Sequence, residues 1–166
     1  MGDLSRLQET IANIFVSAFF DDPFQKSLYP GMSFDKQVAG VFSRWPNEYG
    51  NIAAHYKIVV DTDSGEIVSY SKWEFVFTDA GASLRKPKGF PQDFKPEPPS
   101  IPEGLNYAFA ADFSQRVKEI RERILGERPQ LHLRLLGSLP SYQRRGAASL
   151  HLSWATQLAD EKGLTC

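Results

Sequence analysis

The most informative segment of the sequence runs from Leu135 to Ala148 and has the sequence LLGSLPSYQRRGAA. The apolar residues from Leu131 to Leu139 predict a β-strand that enters this segment. The residues from Ala147 to Lys162 predict a helix that leaves it and ends at Gly163. On one face of this helix we expect four residues at helical spacing: Leu150, Trp154, Leu158 and Ala159.

A strand, a tight turn and a helix in this order can hold a phosphate group. The first turn of a helix has N–H groups without intrahelical partners, and the helix dipole makes that end partly positive. Gly146 leaves the backbone open to approach, and Arg144 and Arg145 add positive charge. The same pattern also fits an ordinary turn with arginines that face solvent, so the pattern alone leaves both interpretations open.

The composition is that of a folded domain. The chain has 166 residues, which fits a single domain over 1–166, and 42% of them are apolar, which is enough for a core. The net charge of −1 argues against a general nucleic-acid binder, because such proteins usually carry a basic surface. We predict no nucleic-acid partner and no metal site.

The sequence points to a protein of a reducing compartment. The single cysteine is Cys166, so no disulfide can form within the chain. No basic region followed by an apolar run marks the N-terminus, and no apolar run approaches the roughly 18 residues of a membrane span. We therefore predict a cytoplasmic protein without a membrane partner.

Upstream of residues 131–163, the sequence predicts further helices and an antiparallel hairpin. Pro46 is expected to end the second helix, because proline disrupts a helix interior. The turn at residues 62–65 separates two runs rich in β-branched residues, which is typical of a hairpin. The predicted helices are Asp3–Phe20, Ser33–Trp45 and Leu105–Gly126, and the predicted strands are Tyr56–Asp61 and Glu66–Phe75.

Residues 83–104 form a proline-rich segment. They hold six of the eleven prolines, with charged residues between them. Such a density of proline excludes regular secondary structure. We expect a solvent-exposed insertion that lies over a substrate cleft.

The residues from Gln143 to Ala148 resemble the Q/R-x-x-G-x-G/A signature of the GNAT superfamily of N-acetyltransferases. The helix after this signature is similar to the corresponding helix of fungal-type members. Upstream, Gly65–Val68 with Trp73 resembles the central hairpin of the family. The similarity extends over most of the chain, but only the signature itself is specific.

The resemblance implies a fold and an activity. The fold would be α/β with a mixed sheet, and the activity would be direct attack of an amine acceptor on the thioester of acetyl-CoA, without a covalent enzyme intermediate. The strand from Leu133 to Leu139 would pair with the pantetheine arm. The residues implied in binding acetyl-CoA are Leu136, Ser138, Gln143, Arg144, Arg145, Gly146, Ala147 and Ala148.

The resemblance is incomplete at both ends of the chain. The family's leading strand and the strand that follows the helix after the signature have no counterpart here. Missing strands expose sheet edges, which invite pairing with another chain. We therefore expect a homo-oligomer or a partner that completes the sheet, and the alternative function is a non-catalytic, truncated interaction protein. A third, weaker interpretation is a nucleotide-binding module, although no Walker-type lysine follows the glycine.

No residue is clearly the catalytic acid or base. Tyr142 lies in the signature loop and is not assigned the acid role. His132 and Glu74 are weak candidates for the general base, His132 because its unperturbed pKa suits the task. His151 is expected on the exposed side of its helix, and His55 is expected to begin a strand without a visible partner.

Overall fold

Three strands and five helices make up the described part of the chain in a computed structural model. The structure describes residues 2–51, 53–81, 95, 97 and 101–166, with the backbone alone at residues 2 and 3. A short 3₁₀ turn covers Pro140–Tyr142. In chain order, the elements are α1 (Gly2–Phe19), α2 (Pro23–Leu28), α3 (Phe34–Gly50), β1 (Ala54–Val60), β2 (Ile67–Val76), α4 (Tyr107–Leu125), β3 (Gln130–Ser138) and α5 (Ala147–Lys162).

The strands form one antiparallel sheet in the order β1-β2-β3. The predicted hairpin is confirmed, and its turn is held by Asp61, whose carboxylate accepts the N–H groups of Asp63 and Ser64 at 2.9 and 3.1 Å. Thr165 forms a parallel bridge with Gln130 at the start of β3. The fold class is therefore α/β, as predicted, but the sheet that the described strands form is antiparallel and not the mixed sheet that the resemblance implied.

The helices cover the two faces of the sheet. On one face α1 and α3 pack against it, and on the other face α5 packs against all three strands. Each face has its own apolar cluster, because successive strand residues point to opposite sides. The buried members are Ile11, Ile14, Trp45, Tyr49 and Tyr70 on the α1 side, and Trp73, Phe75, Leu131 and Ala155 on the α5 side.

A β-bulge at Arg134 interrupts the pairing of β3 with β2. Leu133 pairs with Trp73 and Leu135 pairs with Lys72, so Arg134 is the extra residue. The extra residue reverses the alternation of side chains along the strand. Leu133 packs in the α5 cluster, whereas Leu135 packs in the α1 cluster. The end of β3, including Ser138, owes its orientation to this bulge.

Two predicted helices differ in the structure. Pro46 lies inside α3, which continues to Gly50, and the predicted end near Trp45 is wrong. A proline inside a helix removes one backbone hydrogen bond, and the carbonyl of Phe42, four residues before Pro46, accepts the side-chain amide of Gln8 instead. The short helix α2 was not predicted; Asp22 caps it by accepting the N–H groups of Phe24 and Gln25 at 2.8 and 3.4 Å.

The predicted face of α5 is also wrong in part. Leu150 is 61% exposed, and the buried residues are spaced by four along the helix. Small side chains at these positions let the helix approach the sheet closely. The buried residues of α5 are Ala147, His151, Ala155 and Ala159.

Helix α4 has no buried residue in the structure. Its apolar stripe packs on α2 at one end, where Phe24 contacts Phe109 and Phe113. The rest of the stripe faces outward from the described residues, at Val117, Ile120 and Ile124.

Some predictions fall on residues that the structure does not describe. The proline-rich insertion at 83–104 lies mostly outside the described residues, and its expected place over a cleft stays a prediction. The single domain over 1–166 also stays a prediction. Among the described helices, none has the length and apolar character needed to cross a bilayer.

Candidate ligand-binding cleft

A cleft of about 550 Å³ opens where the C-terminal end of α1, the end of β3 and the start of α5 meet. The wall from α1 consists of Ala18 and Phe19. A Cβ built on Gly137 would make ordinary van der Waals contact with both of them, so β3 lies directly against α1 here. The remaining lining residues are Leu136, Ser138, Tyr142, Gln143, Arg144, Gly146, Ala147, Ala148 and Ser149.

The loop between β3 and α5 presents its backbone N–H groups to this cleft. Arg144 and Gly146 have left-handed backbone angles, with φ of 61° and 89°. Within the described residues, the N–H groups of residues 144–149 donate to no acceptor, and the first N–H of this region with a partner is that of Leu150, which bonds to Gly146. No atom lies within 4 Å of a Cβ built on Gly146. The start of α5 is therefore an open row of donors at the positive end of a helix dipole.

The structure brings together most of the residues that the sequence assigned to acetyl-CoA. Seven of the eight line the cleft, and the exception is Arg145, whose guanidinium stacks over the ring of Tyr142 at 5.0 Å. Their role in binding stays a prediction.

A buried polar network lies directly behind the cleft. The His151 ring is between two serines of β2, with Nε2 3.1 Å from Ser69 Oγ and Nδ1 2.9 Å from Ser71 Oγ. Ser69 Oγ also donates to the carbonyl of Gly137 at 2.8 Å. Ser138, which lines the cleft, donates to Ser69 Oγ at 2.8 Å. The network thus links the core to the cleft wall.

The expectation that His151 is exposed is wrong, because its side chain is only 2% exposed. Ala147 and Ala155, one turn away on either side, are too small to keep the ring off the sheet. Burial, and secondarily the charge of Lys57, lowers the pKa of His151, so the ring is neutral near pH 7. The serines at alternate positions of β2 were the signal available in the sequence, because polar residues on a core-facing strand require buried partners.

The two candidates for the general base are neighbours on the sheet but lie far from the loop. Glu74 pairs with His132 in the register of β2 and β3. His132 is six residues from Ser138, which is about 20 Å at 3.3 Å per residue. The carboxylate of Glu74 is 3.5 Å from the guanidinium of Arg134.

The environment of His132 makes it a poor base. Arg121 donates to Nδ1 of His132 at 3.0 Å, and since arginine is a donor only, Nδ1 must accept. The neutral ring then carries its proton on Nε2 and has no free lone pair. Burial and the charges of Arg134 and Arg121 lower the pKa of His132. Glu74 keeps carboxylate lone pairs and is the stronger of the two candidates.

His55 differs from the expectation as well. It lies within β1, and its ring meets the ring of Phe75 edge-on, with centroids 4.9 Å apart. Among the described residues, no group of three or more acidic, histidine or cysteine side chains is placed to hold a metal ion.

A second cavity, of about 330 Å³, lies between α2 and α3. Gln25 on α2 donates to Gln37 on α3 at 2.9 Å, and Gln37 donates to the carbonyl of Met32 at 3.3 Å. These buried amides hold the two helices together. Because they bond to the protein itself, this cavity offers a weaker ligand site than the cleft at α5.

Comparison with known proteins identifies a fold and no family. No protein-family model and no curated protein sequence matches this chain. Among solved structures, the chain is similar to one described as "C-terminal condensation domain of Ebony in complex with beta-alanyl-dopamine". The similarity covers 96% of this chain and 68% of that chain, with a TM-score of 0.58 and 13% sequence identity. At this identity, the similarity shows the fold alone.

This comparison contradicts the identification of the chain as a member of the GNAT superfamily. The structure that matches nearly the whole chain is described as a condensation domain. The specific part of the resemblance was six residues, Gln143–Ala148. A glycine at a strand-to-helix turn meets a backbone requirement that many folds share, so this signature did not identify the family.

Proposed function

We propose that this protein transfers an acyl group from a CoA thioester to an amine, with acetyl-CoA as the donor, and that the N–H groups of residues 144–149 bind the phosphates of CoA. The observation that carries the proposal is this row of unpaired donors at the open start of α5. The structural neighbour adds support, because it is described as a condensation domain and its ligand, β-alanyl-dopamine, combines an acyl group with an amine-bearing molecule.

The residues of the cleft fit the phosphate end of CoA. Unpaired N–H groups and the dipole of α5 favour an anion, and Gly146 leaves room for it to approach the backbone. Arg144 lines the cleft and adds a full positive charge. The volume of about 550 Å³ suits part of a large ligand, with the rest running along β3.

The reaction needs few groups from the protein. The amine nitrogen attacks the thioester carbonyl, the C–N bond forms, the C–S bond breaks, and the proton lost by the amine ends on the departing sulfur. The protein has to position the amine and accept its proton in transit. We assign the role of proton acceptor to Glu74, because a ligand bound at residues 144–149 and extended along β3 would bring its thioester towards this residue.

Thermal denaturation with CoA tests the binding step. A ligand at 100 times its Kd stabilises the folded state by about 2.7 kcal/mol. For a chain of this size, that corresponds to a rise in Tm of roughly 5–10 °C. We expect Gly146→Trp to abolish the rise, because the indole would fill the approach to the N–H groups.

Gly163→Trp is the matched control. Gly163 ends the same helix, has a left-handed φ of 65° and also has open space around its Cβ position. The substitution therefore causes similar backbone strain away from the cleft. We expect it to lower Tm in the absence of ligand and to leave the CoA-dependent rise intact. A wild-type protein that shows no rise, or equal loss in both variants, contradicts the proposal.

Release of CoA from acetyl-CoA with a panel of amines tests the transfer step. We expect turnover in the wild type and a loss of about 10²–10⁴-fold in Glu74→Gln, the usual contribution of a general base. The exposed apolar stripe of α4 favours the alternative of a non-catalytic interaction protein. Binding of CoA without turnover for any amine would support that alternative.

A further inference from the structure

The buried network behind the cleft has one fixed end, which determines the direction of every hydrogen bond in it. Trp73 Nε1 donates to Ser71 Oγ at 2.7 Å, and an indole N–H cannot accept. Ser71 is fully buried, so its own O–H needs an acceptor, and Nδ1 of His151 lies 2.9 Å away. The reverse arrangement would leave a buried O–H unpaired, which costs about 1–3 kcal/mol. Nδ1 of His151 is therefore an acceptor.

The remaining bonds follow from that assignment. A neutral imidazole that accepts at Nδ1 carries its proton on Nε2, and it donates that proton to Ser69 Oγ. Ser69 gives its own proton to the carbonyl of Gly137, which can only accept. Ser69 Oγ has a second lone pair, which accepts the O–H of Ser138. The O–H of Ser138 therefore points towards the buried network. Each hydroxyl on the path from Trp73 is then fully satisfied.

We propose that this network makes Ser138 a fixed hydrogen-bond acceptor on the cleft wall, and that it accepts an amide N–H from the arm that joins the phosphates of the ligand to its thioester. Ser138 Oγ donates its proton to Ser69, so this hydroxyl can offer a ligand in the cleft only its lone pairs. Ser138 is the last residue of β3 and lies next to the loop whose backbone N–H groups have no acceptor. A ligand group at this point lies next to the phosphates, and the arm of CoA carries amide N–H groups there.

The binding of a ligand amide by Ser138 rests on the proposed function. The assignment of the ring proton of His151 to Nε2 does not. Long-range ¹H–¹⁵N spectra of the ligand-free protein distinguish the two ring nitrogens of a histidine by whether each carries a proton. We expect the protonated signal at Nε2 and the unprotonated signal at Nδ1 of His151. Trp73→Phe removes the donor that fixes the network, and we expect a mixture of the two tautomers in this variant. A proton on Nδ1 in the wild type would overturn the assignment.

Calorimetric titration of Ser138→Ala tests the acceptor. We expect the Kd for CoA to rise about threefold to tenfold, the usual effect of losing one hydrogen bond. The Kd for adenosine 3′,5′-bisphosphate, which has phosphates but no amide arm, should not change. Ser153→Ala, an exposed serine of α5 outside the cleft, should change neither value.

The outcomes separate this inference from the function on which it rests. If the wild type binds neither ligand, the proposed function fails. If the wild type binds CoA and Ser138→Ala leaves the Kd for CoA unchanged, the inference fails and the proposed function stands. If Ser138→Ala raises the Kd for CoA and for adenosine 3′,5′-bisphosphate equally, the inference also fails, because Ser138 would then act on the phosphates.

Discussion

At the residue scale, burial of the His151 ring makes the stability of the protein depend on pH. Its pKa is lowered by burial, so the unfolded chain binds the proton more readily than the folded protein does. The stabilising contribution is therefore complete above about pH 6.5 and is lost as the pH falls below that value. We expect the free energy of unfolding to decrease on acidification with a slope of up to about 1.4 kcal/mol per pH unit for this group.

Denaturant unfolding between about pH 7.5 and 5.5 measures this slope. His151→Gln should flatten it, because glutamine can bond to both serines but does not titrate. The pKa of His132 is also lowered, so His132→Asn provides a comparison for a second, less buried histidine. A slope that His151→Gln leaves unaltered would contradict the neutral, buried state of this ring.

Single residues were the hardest feature to predict from the sequence. The eight residues predicted to bind acetyl-CoA lie close together in the chain, at 136, 138 and 143–148, and the structure brings seven of them to one cleft. The network of Ser69, Ser71 and His151 joins residues about 80 positions apart. The alternating serines signal that a buried polar partner is needed, but nothing local identifies His151 as that partner. Long-range contacts of this kind depend on the register of the sheet, which a single sequence does not reveal.

At the scale of elements, helix caps provide a matched pair of tests. Asp22 caps α2 with its side chain, whereas Ser33 is placed at the start of α3 without a side-chain cap. We expect Asp22→Ala to lower the free energy of unfolding by about 1 kcal/mol and Ser33→Ala to lower it by a few tenths at most. Chemical denaturation of both variants measures the difference, and equal losses would contradict the capping geometry.

The existence of most elements was predictable, because their apolar periodicity is strong. The helix from Ala147 to Lys162 and the hairpin of β1 and β2 are examples. The bulge at Arg134 was not predictable, because one extra residue changes the phase of a strand without changing its composition. The predicted end of α3 at Pro46 was wrong because tertiary packing of the helix overrides the local preference of proline.

At the scale of the whole molecule, the sheet with its helices on two faces accounts for stability, and α4 contributes little. Ile14 is 1% exposed in the core of α1, whereas Ile120 is 48% exposed on α4. We expect Ile14→Ala to cost about 2–5 kcal/mol of unfolding free energy and Ile120→Ala to change it by about 0.5 kcal/mol or less. A cost above about 2 kcal/mol for Ile120→Ala would show that another surface covers α4 in solution.

The general class of the fold was predictable from the alternation of helical and strand patterns, but the solved structure that it resembles was not. The signature at Gln143–Ala148 describes a local backbone geometry, and local geometry recurs in unrelated folds. The match to a condensation domain comes from the arrangement of elements over 96% of the chain, at 13% identity. That arrangement cannot be read from six residues.

Binding of CoA at the start of α5 is tested most directly by amide ¹H–¹⁵N spectra during a titration with CoA. We expect the largest shifts at residues 144–149, whose N–H groups have no acceptor among the described residues. Smaller shifts should follow along the end of β3, and the amides of α4 should not move. Saturable binding with shifts confined to the cavity between α2 and α3, or no shifts at residues 144–149, would contradict the phosphate site on which the proposed function depends.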